Sequence, residues 1–114
     1  MGIFGSHTKE TGTEKPSESN GKSIELLAEL WSSWGYSGVK EQVYSLMKHM
    51  AKKGYEVNFT VDPLSGGNGE FYVYKVNGDS KSIVFSNNKS HKEAVYGNRI
   101  NQLNMEDIAK KIEA

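Results

Sequence analysis

Ile24-Glu25-Leu26-Leu27-Ala28-Glu29-Leu30-Trp31, running on into Ser32-Ser33-Trp34-Gly35-Tyr36, is the stretch on which the fold turns. Its first eight residues admit two readings. Glu, Leu and Ala favour helix by intrinsic propensity. Yet Ile24, Leu26, Ala28 and Leu30 alternate with Glu25 and Glu29, as in a strand. Local sequence leaves both open. Downstream, Val39, Val43, Leu46, Met47 and Met50 recur at helical spacing. That helix opens at Ser37 or Gly38 and closes at Gly54, a glycine C-cap. The residues Trp31 to Tyr36 therefore lie where an apolar run meets a helix N-terminus, a junction suited to chemistry or binding. They offer two indoles and two hydroxyls, and no thiol.

Towards the C-terminus, Tyr55 to Val61 alternates strictly and reads as a strand. Asp62-Pro63 and Ser65-Gly66-Gly67-Asn68-Gly69 form a breaker-rich loop. The glycines do not make a phosphate loop, because no Gly-Lys-[Ser/Thr] follows and a strand comes next. Glu70 to Val76 is that strand, with Phe71 and Val73 on one side and Tyr72, Tyr74 and Val76 on the other. Asn77-Gly78 is a hairpin dipeptide, and Lys81 to Phe85 returns. Ser86 to Leu103 is polar and carries no clear pattern. Asn104-Met105-Glu106-Asp107 reads as an N-cap with an acid at the third helical position, and Ile108, Ala109 and Ile112 form the buried stripe of a last helix.

Towards the N-terminus, residues 1–21 read as a disordered tail, and 22–114 as one domain. His7 to Gly21 is Lys, Glu, Ser, Thr, Gly and Asn with one Pro, too little apolar surface to offset chain entropy. Met1-Gly2-Ile3-Phe4-Gly5-Ser6 fits the pattern for N-myristoylation of Gly2 after removal of Met1. In the tail, Lys9 and Lys15 stand against Glu10, Glu14 and Glu18, leaving it at −1. It is not the polybasic partner a single acyl chain needs, since one myristoyl binds only marginally. A second membrane signal, if there is one, lies in the folded part or in a partner. Lys48, Lys52 and Lys53, in the last turns of the first helix, have two readings. One is complementing the helix dipole. The other is a basic patch facing anionic lipid headgroups.

Composition excludes several classes. The 14 basic and 14 acidic residues balance, which argues against general nucleic-acid binding. The chain has no cysteine, so disulfides, thiolate catalysis, zinc–thiolate sites and palmitoylation are excluded. No apolar run approaches the ~20 residues of a spanning helix, and the N-terminus does not read as a signal peptide. His7, His49 and His91 are scattered, so neither a metal site nor a base for Ser32 or Ser33 is expected.

Three blocks carry a resemblance. Glu29-Leu30-Trp31-Ser32-Ser33-Trp34-Gly35-Tyr36 matches a strand, then Cys-x-x-Cys, then Gly-Tyr, then a helix. Asn68-Gly69-Glu70-Phe71-Tyr72-Val73 echoes Thr-Gly-x-Phe-Glu-Val, and Ile83-Val84-Phe85-Ser86 echoes a returning strand ending in Phe-Ser. By these blocks, residues 23–114 resemble the Rdx family, the thioredoxin-like group around selenoproteins W and T. The resemblance implies an α/β (α+β) fold, β-α-β-β-β-α, with a four-stranded mixed sheet and two main helices. It also selects the strand for Ile24 to Trp31. Trp31 and Trp34 then occupy the two redox positions. Neither indole nor hydroxyl performs thiol–disulfide exchange, which needs a thiolate.

The expectation is a non-catalytic, redox-inactive thioredoxin-like protein with no cofactor. It would be cytoplasmic in a eukaryotic cell, held on a membrane through Gly2, and would act as an adaptor. Trp31, Ser32, Ser33, Trp34, Gly35 and Tyr36 would form its partner-docking surface. The alternatives are a soluble interaction module without the lipid, or an accessory subunit of a redox system.

Overall fold

The computed structural model describes residues 9–31, 36–64 and 66–114. Ser23–Trp31 is a strand, β2, and its place explains why alternation prevails over helix propensity. It pairs on both sides, parallel with β3 (Glu56–Pro63) and antiparallel with β4 (Glu70–Asn77). A doubly paired strand satisfies every backbone group and buries one face, which outweighs a few tenths of a kcal/mol of propensity per residue. The other elements are β1 (Glu10–Glu14), α1 (Tyr36–Lys52), β5 (Ser80–Ser86), β6 (Val95–Tyr96) and α2 (Met105–Glu113).

The fold is α+β, with a mixed sheet of six strands ordered β1-β3-β2-β4-β5-β6. The expected four-stranded sheet gains one strand at each edge. β1 comes from the stretch read as tail, and pairs antiparallel with β3 from Glu10↔Val61 to Glu14↔Val57. Composition missed it because an edge strand is held by ladder bonds rather than by its own apolar burial. Gly12 lies under the Phe59 ring, where a Cβ would come within 2.8 Å of the ring edge. Glu10 accepts from Lys40 Nζ and Tyr44 Oη, each at 2.7 Å. β6, two residues parallel to β5, comes from the stretch that carried no pattern.

One core cluster unites both helices with one side of the sheet. Val43, Leu46, Met47 and Met50 of α1 and Ile108, Ala109 and Ile112 of α2 pack with Leu26, Ala28, Leu30, Val57, Val61, Phe71 and Val73. Both helices therefore lie on one face. A β-bulge between Val73 and Tyr74 sets Val73 opposite Phe85 and Tyr74 opposite Ile83. The extra residue is Val84, and the bend lets Val84, Phe85 and Ser86 all be buried in succession. The hairpin turn lies one residue later than expected: Asn77 pairs with Ser80, and Gly78, at φ +63°, is the first central residue. No non-glycine residue among those described has positive φ, so this is the glycine-first turn rather than the Asn-Gly type. Gly54, at φ +102°, ends α1 as expected.

Candidate interaction site

The C-terminal end of β2 is built by three segments. Trp31, half-buried, closes the strand, and its carbonyl accepts from Gly69 N at 3.0 Å. Leu64 N donates to Leu30 O at 2.7 Å. Gly67, at φ +79°, passes so close that a Cβ there would lie 2.7 Å from Trp31 Cβ. Only glycine fits this approach, which gives the Gly-rich loop its role as a clamp on Trp31. Asn87, just past β5, completes the corner. It accepts from Phe71 N and donates to Gly69 O, both at 2.9 Å. The corner is thus rigid backbone presenting the indole of Trp31. Ser32, Ser33, Trp34 and Gly35 lie outside the described residues, as does Gly2. Tyr36 opens α1, with its side chain outside the described part.

The second predicted group is divided by the structure. Lys53 is held between helices, with Nζ 2.9 Å from Glu106 Oε2 and 3.8 Å from Glu113 Oε1. Its hydrogen bond to Glu106 raises its pKa, and the same bond lowers that of Glu106. Glu106 also meets His49 Nε2 at 3.0 Å. Lys53 is thus removed from the expected headgroup-facing patch, because a carboxylate pair on α2 already neutralises it. Lys48 and Lys52 remain exposed, and line a groove of about 560 Å³ with Ile100, Gln102 and Met105.

Sequence reasoning missed a third group, on the sheet face away from the helices. Register places Leu27 beside Tyr74 and Glu29 beside Tyr72, with Ile83 and Lys81 continuing across β5. Lys81 Nζ lies 4.3 Å from the Tyr74 ring centre and 3.3 Å from Glu29 Oε2. Burial, then the charge of Glu29, push the Tyr74 hydroxyl up to about 12. Tyr72 stacks edge-on with His91 at 4.8 Å. The signal was present in the alternation of Tyr72, Tyr74 and Val76, but the partners come from other strands.

Ser86 and His91 stand at the distance of a nucleophile and its base, with Oγ 2.9 Å from Nδ1. Chemistry argues otherwise. Ser86 is fully buried, and its hydroxyl donates to Asn88 O at 3.0 Å while accepting from Asn88 N at 2.9 Å. With its one hydrogen so used, it accepts from His91, whose hydrogen sits on Nδ1. The pair fixes the loop after β5. Among the described residues no group of three or more His, Asp or Glu side chains is placed to hold a metal ion. Also among them, no helix is long and apolar enough to cross a membrane. Comparisons with protein-family models, with curated proteins and with solved structures find no match to this chain.

Proposed function

We propose that this protein is a non-catalytic, thioredoxin-like adaptor of the Rdx type, held on a cytoplasmic membrane surface by a myristoyl group on Gly2. The fold reading is supported by the four central strands. They run β3-β2-β4-β5, with β2 and β3 parallel around α1 and β4 antiparallel to both neighbours. That order supports reading the centre of the sheet as the implied β-α-β-β-β-α unit, with β1 and β6 added at its edges.

One observation carries the functional reading. The segment joining Trp31, the last residue of β2, to Tyr36, the first of α1, is where the resemblance puts a redox pair, and the chain has no cysteine. A scaffold that has lost its thiols but still holds an indole at the end of β2 is suited to docking rather than electron transfer. Trp31 is gripped by Gly67 and Gly69 and half-exposed, which lowers the entropy lost when a partner covers it.

Two experiments test this. Trp31→Cys with Trp34→Cys should create a reversible disulfide, because the resemblance assigns these two positions to the redox pair; two thiols that never pair would overturn the thioredoxin-like reading. Flotation of protein co-expressed with N-myristoyltransferase, against Gly2→Ala, should show lipid-bound protein only with Gly2. Intact mass lacking the myristoyl increment would remove the anchor.

A further inference from the structure

The two large hydrophobic side chains left exposed among the described residues are Tyr96 and Leu103, the latter 93% exposed. They flank one loop, residues 97–102, between β6 and α2. An exposed leucine on a floppy loop would mean little, but this loop is tied down. Asn101 N donates to Asn104 Oδ1 at 2.9 Å, Asn104 Nδ2 donates to Arg99 O at 2.9 Å, and Leu103 N donates to Asn101 Oδ1 at 2.8 Å. Gly97 lies against the Asn104 side chain, which draws the loop's ends together. Ile100 is buried, and its N–H donates to Gln42 Oε1 of α1 at 2.7 Å. Asn104 precedes α2 at the N-cap position but makes no side-chain cap there, because its amide is spent on this loop.

Beside this loop run Lys48 and Lys52 of α1, across the groove from Asn101 and Gln102. No ion pair holds either lysine among the described residues, whereas Lys53 and His49 share Glu106. Glu14 and Glu18 border the far side of the same lysines, together with Lys15. Glu106 also lines the groove, but its carboxylate is taken by Lys53 and His49, so Lys48 and Lys52 stay without an ion pair among the described residues beside the tied-down loop.

We propose that Leu103, at the end of the loop that borders the Lys48 and Lys52 groove, forms with those lysines a membrane-contact patch for anionic bilayers. Leu103 enters the headgroup layer and the lysines face lipid phosphates and carboxylates. The patch rests on the membrane reading above, and supplies the second signal that a single acyl chain requires. The tail is long enough to cover the separation of Lys40 and Lys48 along α1. Glu10, the first residue of β1, is anchored to Lys40, about 12 Å along α1 from Lys48. The eight residues from Gly2 to Lys9 reach at most about 26–29 Å.

The test floats acylated wild type and Gly2→Ala with vesicles of phosphatidylcholine alone and of phosphatidylcholine with phosphatidylserine. Acylated wild type should prefer the anionic vesicles. Lys48→Ser and Lys52→Ser should each lower that partition about five-fold, and Leu103→Ser at least about five-fold. Lys53→Ser should leave it unchanged. Raising salt to about 1 M, where screening acts within about 3 Å, should erase the anionic preference of wild type without any substitution. Partition that ignores lipid charge, or is untouched by the Leu103 and lysine variants, overturns the patch and leaves the acyl anchor standing. If Gly2→Ala binds as well as acylated wild type while those variants still lose binding, the anchor falls and the patch stands. Unchanged thermal melts of the Leu103, Lys48 and Lys52 variants, whose side chains are exposed, separate binding from folding.

Discussion

Leu26 and Leu27 are neighbours in β2 with the same side chain and opposite fates. Leu26 lies under the helices at 1% exposure, while Leu27 is half-buried beside Tyr74 on the other face. The contrast extends across the whole sheet. One face is sealed by α1 and α2 into a single apolar cluster. The other holds tyrosines, Glu29 and Lys81, covered at one end by the loop bearing His91. Period-two geometry sorts one sequence into two surfaces with different physical duties. The sealed face sets stability, and the proposed docking corner at Trp31 and the proposed patch at Leu103 lie outside that cluster.

The sharpest way to break this contrast is to truncate both leucines. Leu26→Ala should cost about 2–5 kcal/mol in urea unfolding, through lost transfer energy and the cavity left behind. Leu27→Ala should cost about 1 kcal/mol or less. Equal losses would mean that the second face is covered too.

A somewhat smaller effect is expected where the helix-bearing face reaches the sheet edge. Gly12→Val drives a side chain into the Phe59 ring and should cost about 1–3 kcal/mol. Amide exchange should then show β1 lost while β2 to β5 stay protected. Global unfolding instead would show that β1 is integral to the core.

On the open face, alkaline titration sharpens the comparison. The folded state raises Tyr74 from 10.0 to about 12, so it keeps a proton that the unfolded chain releases. That contribution to stability is complete below pH 10 and is lost as pH rises through about 12. Absorbance of tyrosinate should show a late-ionising tyrosine that disappears in Tyr74→Phe. Tyr55, raised by its hydrogen bond to Glu113, should persist in that variant.

The weakest expected effect comes from the exposed link between the helices. Glu106 is lowered from 4.5 by Lys53 and then His49, so its contribution is present above the ordinary glutamate range and lost as pH falls through the folded-state value. Lys53, raised above 10.5, contributes below that value and loses its effect above it. Melting curves of wild type and Glu106→Gln should differ slightly at neutral pH and converge in acid. A difference that persists in acid would mean that the side chain acts by packing.

Much of this architecture was legible in single residues. The stripe Val43, Leu46, Met47 and Met50, the C-cap at Gly54 and the split of Phe71 and Val73 from Tyr72 and Tyr74 follow from periodicity, and each lies where expected. The edges were not legible. Glu10-Thr11-Gly12-Thr13-Glu14 has the composition of a tail, and becomes a strand because β3 presents an unpaired edge and Phe59 a ring that covers Gly12. At the candidate sites, the sequence pointed to Trp31 but not to the loop that grips it. It grouped Lys53 with Lys48 and Lys52, because charge counting cannot see Glu106, 53 residues away in the chain.

Period and composition therefore dictated the helix α1, the strands β3 to β5 and which of their faces go inward, since these depend on neighbours within a turn or a strand; the missing thiol alone ruled out thiol chemistry. Strand order, the edge strands, the bulge at Val84, the pairing of Lys53 and the rigid display of Leu103 were decided by the assembled chain. Each depends on groups far apart in sequence, and their energies arise only once the sheet has brought them within reach.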